Sequence, residues 1–142
     1  MNGLVIDSSV AVKWFVAEPY SNEARRILDA YQNGVLSFLA PDLINAEVGN
    51  IIWKKHAFQG LDASDAKDVL EGFRRLQITF IPTAELLEDA YKIATAHRRT
   101  VYDALYVALS VREGCRFVTA DEKLANAIGA AFPGVLWLPN WP

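Results

Sequence analysis

Gly3-Leu4-Val5-Ile6-Asp7-Ser8-Ser9-Val10 runs three aliphatic residues straight into a carboxylate and two hydroxyls. Leu4–Ile6 reads as a first strand that leads into a helix near Ser9–Val16. Past it, short β-type runs keep alternating with helical periodicity, the signature of a parallel α/β sheet. Pro19 ends the first helix, and Ser21 is placed to cap a second through about Tyr31, closed by Asn33-Gly34. Leu36–Leu39 is the second strand, and Pro41-Asp42 opens a long helix to about Phe58. Gln59-Gly60 separates it from a helix over Ala63–Leu76, with Asp62 or Ser64 as cap. Ile78–Ile81 is the third strand, and Thr83 caps a helix through about His97. Thr100 or Tyr102 begins the next helix, which ends near Gly114. Phe117–Thr119 is the fourth strand, Asp121–Ala131 a helix, and Val135–Leu138 the fifth strand before a Pro-rich tail.

No repeat, low-complexity segment or linker divides the chain, so one domain over residues 1–142 is expected. A chain of 142 residues buries roughly 68–70% of its unfolded surface. With 52% hydrophobic and 22% charged residues it has the material for a compact core. Its longest apolar runs fall short of the ~18 residues that span a bilayer, and no signal-peptide pattern opens it, so no membrane partner is expected. Cys115 is alone, which removes any internal disulfide framework and points to a reducing cytoplasm; it reads as a small hydrophobe ahead of a strand. The net charge of −3 argues weakly against nucleic acid, but bound divalent cations would reverse it. Lys54-Lys55-His56, Arg74-Arg75 and His97-Arg98-Arg99 are basic groups, equally readable as solvated helix ends.

Four acids stand where apolar stretches enter or leave these elements: Asp7, Glu47, Asp103 and Asp121. In an open parallel sheet, ligands bind at the carboxyl ends of strands where strand order reverses. Asp7 and Asp121 follow strands directly, whereas helices must carry Glu47 and Asp103 to that edge. Taken singly, three have structural explanations. Asp7 is a possible helix cap, Thr100-x-x-Asp103 matches a capping box, and Thr119-x-x-Glu122 leaves Asp121 in a first turn. Glu47 has none: it borders the apolar stripe of Leu43, Ile44, Val48, Ile51 and Ile52, more than a turn beyond Asp42, with Asn50 at i+3 as a candidate hydrogen-bond partner. Converging carboxylates repel unless a cation neutralises them, and an all-oxygen set suits Mg²⁺ or Mn²⁺ over zinc. His56 and His97 have no zinc spacing.

These pieces, in this order, resemble the PIN-domain ribonucleases, most closely the VapC-type toxins of bacterial toxin–antitoxin pairs. The resemblance rests on Val5-Ile6-Asp7-Ser8-Ser9-Val10, Pro41-Asp42-Leu43 leading to Glu47 and Asn50, Thr100-Val-Tyr-Asp103-Ala-Leu-Tyr106, and Phe117-Val-Thr119-Ala-Asp121, with Lys13-Trp14-Phe15 after the first acid. It implies an α/β/α sandwich with a parallel sheet in strand order 3-2-1-4-5. It also implies that Asp7, Glu47, Asp103 and Asp121 are the catalytic, metal-binding acids, supported by Ser8 and Thr119. Lys123 stands where some relatives carry a further acid, which weakens the case for a second metal ion. The activity implied is Mg²⁺- or Mn²⁺-dependent endonucleolytic hydrolysis of RNA, with a cognate antitoxin and a homodimer. Lys13, Arg98 and Arg99 are candidate phosphate contacts, and Trp14, Phe15, Trp53 and Phe58 candidate members of an apolar groove. The competing reading is a catalytically silent PIN-like module that holds RNA or protein. A receiver-like domain phosphorylated on Asp7 lacks the expected second Asp, since Ser9 occupies its place, and no Gly-x-Ser-x-Gly elbow supports a serine hydrolase.

Overall fold

In the computed structural model, which describes residues 2–142, five strands form one parallel sheet. They are β1 (Asn2–Ile6), β2 (Leu36–Pro41), β3 (Ile78–Ile81), β4 (Arg116–Thr119) and β5 (Val135–Trp137), in the order β3-β2-β1-β4-β5. This is the expected order; residue 1, part of the expected domain span, lies outside the described residues. Leu4, Val5, Ile6, Phe38, Phe117 and Val118 are all buried, as strands covered on both faces require. The helices are α1 (Ser8–Ala11), α2 (Ser21–Gln32), α3 (Leu43–Phe58), α4 (Ala63–Arg75), α5 (Thr83–His97), α6 (Val101–Glu113) and α7 (Glu122–Ile128). Parallel crossovers are right-handed. The steps from β1 to β2 to β3 therefore put α1–α4 on one face, and the reversed steps to β4 and β5 put α5–α7 on the other. The reversal falls between β1 and β4, so the carboxyl ends of these two strands flank the crevice where ligands bind in such sheets.

Several element ends differ from the expected ones, for reasons of tertiary bonding. The first helix begins at Ser8, and after Ala11 it tightens into a 3-10 turn over Val12–Trp14. That turn brings Trp14 onto the ring of Phe38 and lets its Nε1 donate to Ala24 O at 2.8 Å. Ser21 does not cap α2. Tyr20 precedes the helix in the left-handed region (φ 67°), and the Ser21 hydroxyl accepts from Glu18 N instead. Pro41 closes β2 rather than opening α3, and Asp42 makes no cap bond to α3. Its carboxylate accepts from Thr83 N at 3.1 Å, so Asp42, not Thr83, covers the first turn of α5. α7 is shorter than expected, because Asp121 is its N-cap, accepting from Leu124 N, and it stops at Ile128. The capping box expected at Thr119 does not form, since the Thr119 hydroxyl receives Asp121 N and points to Asp7.

Asp62 and Thr100 do cap as the sequence suggests. Thr100 Oγ1 accepts from Asp103 N at 3.1 Å. Thr100→Ala is expected to lower stability by about 1 kcal/mol, read as a shift of the urea midpoint with unchanged slope. An unchanged midpoint would show that the cap is redundant.

Candidate active site

The register of β1 on β4 pairs Ile6 with Val118, so the next residues, Asp7 and Thr119, emerge side by side at the carboxyl edge. Thr119 Oγ1 donates to Asp7 Oδ2 at 2.6 Å, and Ser9 Oγ donates to Asp7 Oδ1 at 2.5 Å. Val10 N donates to the same Oδ1 at 3.2 Å, which makes Asp7 the cap of α1. Ser9 also accepts from Ala120 N at 3.0 Å and so ties the two strand ends together. Asp7 is only 7% exposed. Burial pushes its carboxyl up to about 6 from an ordinary 3.8; the Ser9, Thr119 and Val10 bonds oppose that rise and the charge of Glu47 adds to it.

Glu47 lies on α3 beside the buried Ile44, Val48 and Ile52. It points across the sheet edge, where Tyr106 OH and Ser8 Oγ (3.4 Å) both donate to its Oε1. Burial raises the carboxyl of Glu47, the Tyr106 bond holds it down in part, and the charge of Asp103 raises it further. The Asn50 contact inferred from i+3 spacing is not made. Asn50 is exposed, because Glu47 turns toward α6 and away from the solvent side of its own helix. Tyr106 and Ser9 are the side chains bonded to these acids that sequence reasoning leaves out. Tyr106 carries a signal: a Tyr in a wholly apolar helix face needs a partner for its hydroxyl, and i+3 spacing puts it near Asp103.

Asp103, in the first turn of α6, is half-buried and bonded by Arg99 Nη2 at 3.3 Å. Burial raises its carboxyl, the Arg99 charge lowers it, and the nearby charge of Asp121 raises it again. Asp121 is exposed at the start of α7. The electrostatic contacts therefore run from Asp7 to Glu47 to Asp103 to Asp121, so the four acids share one edge of the sheet. A cavity of about 780 Å³ opens at the opposite edge, beside the starts of β1, β2 and β4, with no acid of this group in its lining. Cys115 lines that cavity, and burial pushes its thiol up.

The donor chemistry fits a hard divalent cation: oxygen atoms only, with three carboxyls raised by burial and by one another's charge. Among the described residues, however, no group of three or more His, Cys, Asp or Glu side chains is arranged to hold an ion by itself. Mg²⁺ is suited to such a site, because it is commonly held by one or two carboxylates and keeps several waters. The histidines stand apart: His56 Nδ1 meets Leu61 O at 2.7 Å, and His97 packs edge-on against Phe132. Of the basic residues, Arg98 is exposed and Arg99 reaches Asp103. Lys13 is half-buried. It is paired with Glu18 at 3.2 Å, and Lys55 takes the other oxygen of Glu18 at 2.7 Å. Of the expected apolar groove, Trp14 is buried on Phe38, and Phe15 packs at Gly72. Trp53 and Phe58 are exposed and in edge-to-face contact.

Tyr106→Phe leaves the ring on Phe117, with which it stacks at 5.6 Å, but removes the hydroxyl from Glu47. The variant is expected to lose roughly 10–100-fold in activity or metal affinity, the usual cost of an outer partner of a ligating group. Equal turnover of the variant and the parent protein would take Tyr106 out of the site.

A parallel 3-2-1-4-5 sheet with carboxylates gathered at its point of reversal is the architecture of one class of α/β domain, and residues 4–129 match the model of the PIN domain family. The chain belongs to that family. It is 37% identical over 132 residues to Ribonuclease VapC3 of Pyrobaculum aerophilum, covering 89% of this chain and 95% of that protein. Among solved structures it resembles VapC20 of Mycobacterium tuberculosis, described as a Sarcin-Ricin loop cleaving toxin, with a TM-score of 0.65, 14% identity, and 87% of this chain and 94% of that one covered. It also resembles a toxin–antitoxin complex from Klebsiella pneumoniae, with a TM-score of 0.61, 17% identity, and 95% and 97% covered. At these identities the structural likenesses speak to the fold.

Proposed function

We propose that this chain is the RNA-cleaving toxin of a toxin–antitoxin pair, a metal-dependent endoribonuclease that hydrolyses phosphodiester bonds. The observation that carries the reading is the convergence of Asp7, Glu47, Asp103 and Asp121 from four separate elements on one strand edge, three of them with raised carboxyls. Mg²⁺ or Mn²⁺ held there would lower the pKa of bound water and neutralise charge developing on the phosphate. Asp7, fixed by Ser9, Thr119 and Val10, and Glu47, fixed by Tyr106 and Ser8, offer oriented oxygens for it. Asp103, with its carboxyl raised, is the candidate to accept a proton from the attacking water. Arg98 and Arg99, on the short connection into α6, are placed to meet RNA phosphates. Lys123 on α7 leaves the site without the further acid that would favour a second ion.

The same reading carries a cognate antitoxin and a homodimer, and a place in the cytoplasm where RNA is found. Trp53 and Phe58 offer an apolar surface for the antitoxin, and Leu87 and Tyr91, four apart on α5, one for the dimer. Among the described residues no helix is long and apolar enough to cross a membrane.

Purified protein incubated with RNA should cut it in Mg²⁺ or Mn²⁺ and stop in EDTA, and Asp103→Asn should be inactive. A map of RNA 5′ ends after induction should show new ends with the parent protein and none with Asp7→Asn. Cleavage that persists in EDTA or in both variants would overturn the assignment. The second reading, a silent module that binds RNA or protein, draws on the absence, among the described residues, of a three-acid group poised to hold an ion. A Mn²⁺ titration without detectable binding would favour it.

A further inference from the structure

Arg99 sits where the charge of the site is least settled. Its Nη2 donates to Asp103 Oδ2 at 3.3 Å, yet its Nε is buried with no hydrogen-bond partner. A buried N–H left unpaired is costly, so this pose is held by the charge of Asp103 and not by full satisfaction of the guanidinium. The main chain beneath it is pinned. Arg98 adopts the left-handed region (φ 53°), and the N–H groups of Arg98 and Arg99 both donate to Ala94 O, closing α5. The side chain thus leaves a fixed point and reaches forward to α6. The Asp103 it meets also faces the charges of Glu47 and Asp121. Of the four acids, Asp103 is the one in an ion pair with a cation of the chain itself among the described residues. Arg99 holds only Oδ2, but a divalent cation on either oxygen of Asp103 would stand within a few ångström of the guanidinium and repel it.

We infer that Arg99 is an internal counter-cation of the site, neutralising Asp103 until a divalent cation displaces it, and that it thereby weakens metal binding. This rests on the metal-site reading above, and it makes Arg99 a positioning residue acting through Asp103. Displacement frees the guanidinium at the mouth of the site and relieves the orphaned Nε.

The test is Mn²⁺ binding to the purified full chain without RNA, by calorimetry or by electron paramagnetic resonance of free Mn²⁺. Arg99→Ala and Arg99→Gln should each bind Mn²⁺ about three- to fivefold more tightly than the parent, the scale of a partly exposed ion pair. Arg99→Lys, which keeps the charge, should stay within about twofold of the parent. In an Asp103→Asn background the gain from Arg99→Ala should vanish, a coupling that removal of a merely structural side chain would not produce. Equal or weaker Mn²⁺ binding by Arg99→Ala, with the parent binding normally, overturns this inference and leaves the metal site standing. The same gain with and without Asp103 also overturns it, assigning the effect to overall charge. No Mn²⁺ binding by any of the proteins removes the metal site, and this inference with it.

Discussion

Asp7→Asn is expected to abolish RNA cleavage while making the metal-free protein more stable near neutral pH. The activity loss should exceed about a hundredfold, since removal of even an outer partner of a metal ligand costs roughly 10–100-fold. The stability gain follows from the same carboxylate. Asp7 is 7% exposed, and its carboxyl is pushed up to about 6 from an ordinary 3.8. A group whose folded pKa lies above its unfolded one supports folding while it is protonated, and that support is lost as pH rises through the folded value. A rise of that size corresponds to roughly 3 kcal/mol at neutral pH. Asn avoids the buried charge but gives up part of the three bonds that Ser9, Thr119 and Val10 make to the carboxylate, about 1 kcal/mol each. The net gain should therefore be about 1 kcal/mol in EDTA near neutral pH. It should shrink as pH falls from about 6 toward 3.8, where the parent carboxyl takes up its proton in both folded and unfolded states. Added Mg²⁺ should then reverse the order, because a ligand that binds only the folded parent protein raises its stability by mass action. Urea midpoints at two pH values, with and without Mg²⁺, measure all of this. A variant that is both active and less stable at neutral pH would remove Asp7 from the centre of the site.

The sheet and the four acids are legible in the sequence because both are local. Strands alternate with helices in the apolar pattern; Asp7, Asp103 and Asp121 sit at element ends that the pattern marks, and Glu47 borders the apolar stripe of α3. What sequence reasoning misses depends on contacts between residues far apart in the chain. Glu47 takes its hydroxyl from Tyr106, 59 positions away, and not from Asn50, because the fold turns the edge of α3 toward α6. Ser9 reaches Asp7, two positions before it, and also Ala120, 111 positions on, a pairing fixed only by the β1–β4 register. Asp42 reads as a cap for its own helix and serves α5 instead, since the end of β2 lies beside the end of β3. The cap reading of Asp7 is right as geometry, whereas Asp121, expected in the first turn behind a Thr119 cap, is itself the cap of α7; neither cap bond competes with a role in the site. A cap bond engages one carboxylate oxygen and leaves the other for different work. Asp7 Oδ2 turns to Thr119, and the cap bond at Asp121 uses only Oδ1.

Phe38→Ala should be the most destabilising single change among the aromatic residues, at about 3–5 kcal/mol. Phe38 is fully buried on β2, stacked between Trp14 at 4.9 Å and Tyr31 at 4.5 Å, with interplanar angles of 14° and 10°. The three rings join the turn after α1, the second strand and α2, so truncation opens a cavity bounded by parts of three elements that cannot all collapse into it. Each stacking contact adds roughly 0.5–1.5 kcal/mol beyond the area it buries. Against a total stability of about 5–15 kcal/mol, that loss brings the chain close to unfolding. Trp53→Ala is the matched control. Trp53 is larger than Phe38 but 55% exposed, touching Phe58 edge-on, and its loss should cost within about 0.5 kcal/mol. The contrast separates burial from aromatic size as the source of stability. The stack also bears on chemistry, because Trp14 ends the turn that follows Asp7, Ser8 and Ser9, and β2 leads into the helix that carries Glu47. Phe38→Leu, which restores much of the volume without a flat ring, should cost less than Phe38→Ala, at about 1–3 kcal/mol for the two lost stacking contacts. If the folded fraction of Phe38→Leu cleaves RNA as the parent does, the rings serve the core alone; if cleavage falls at full folding, the stack also sets the position of Asp7.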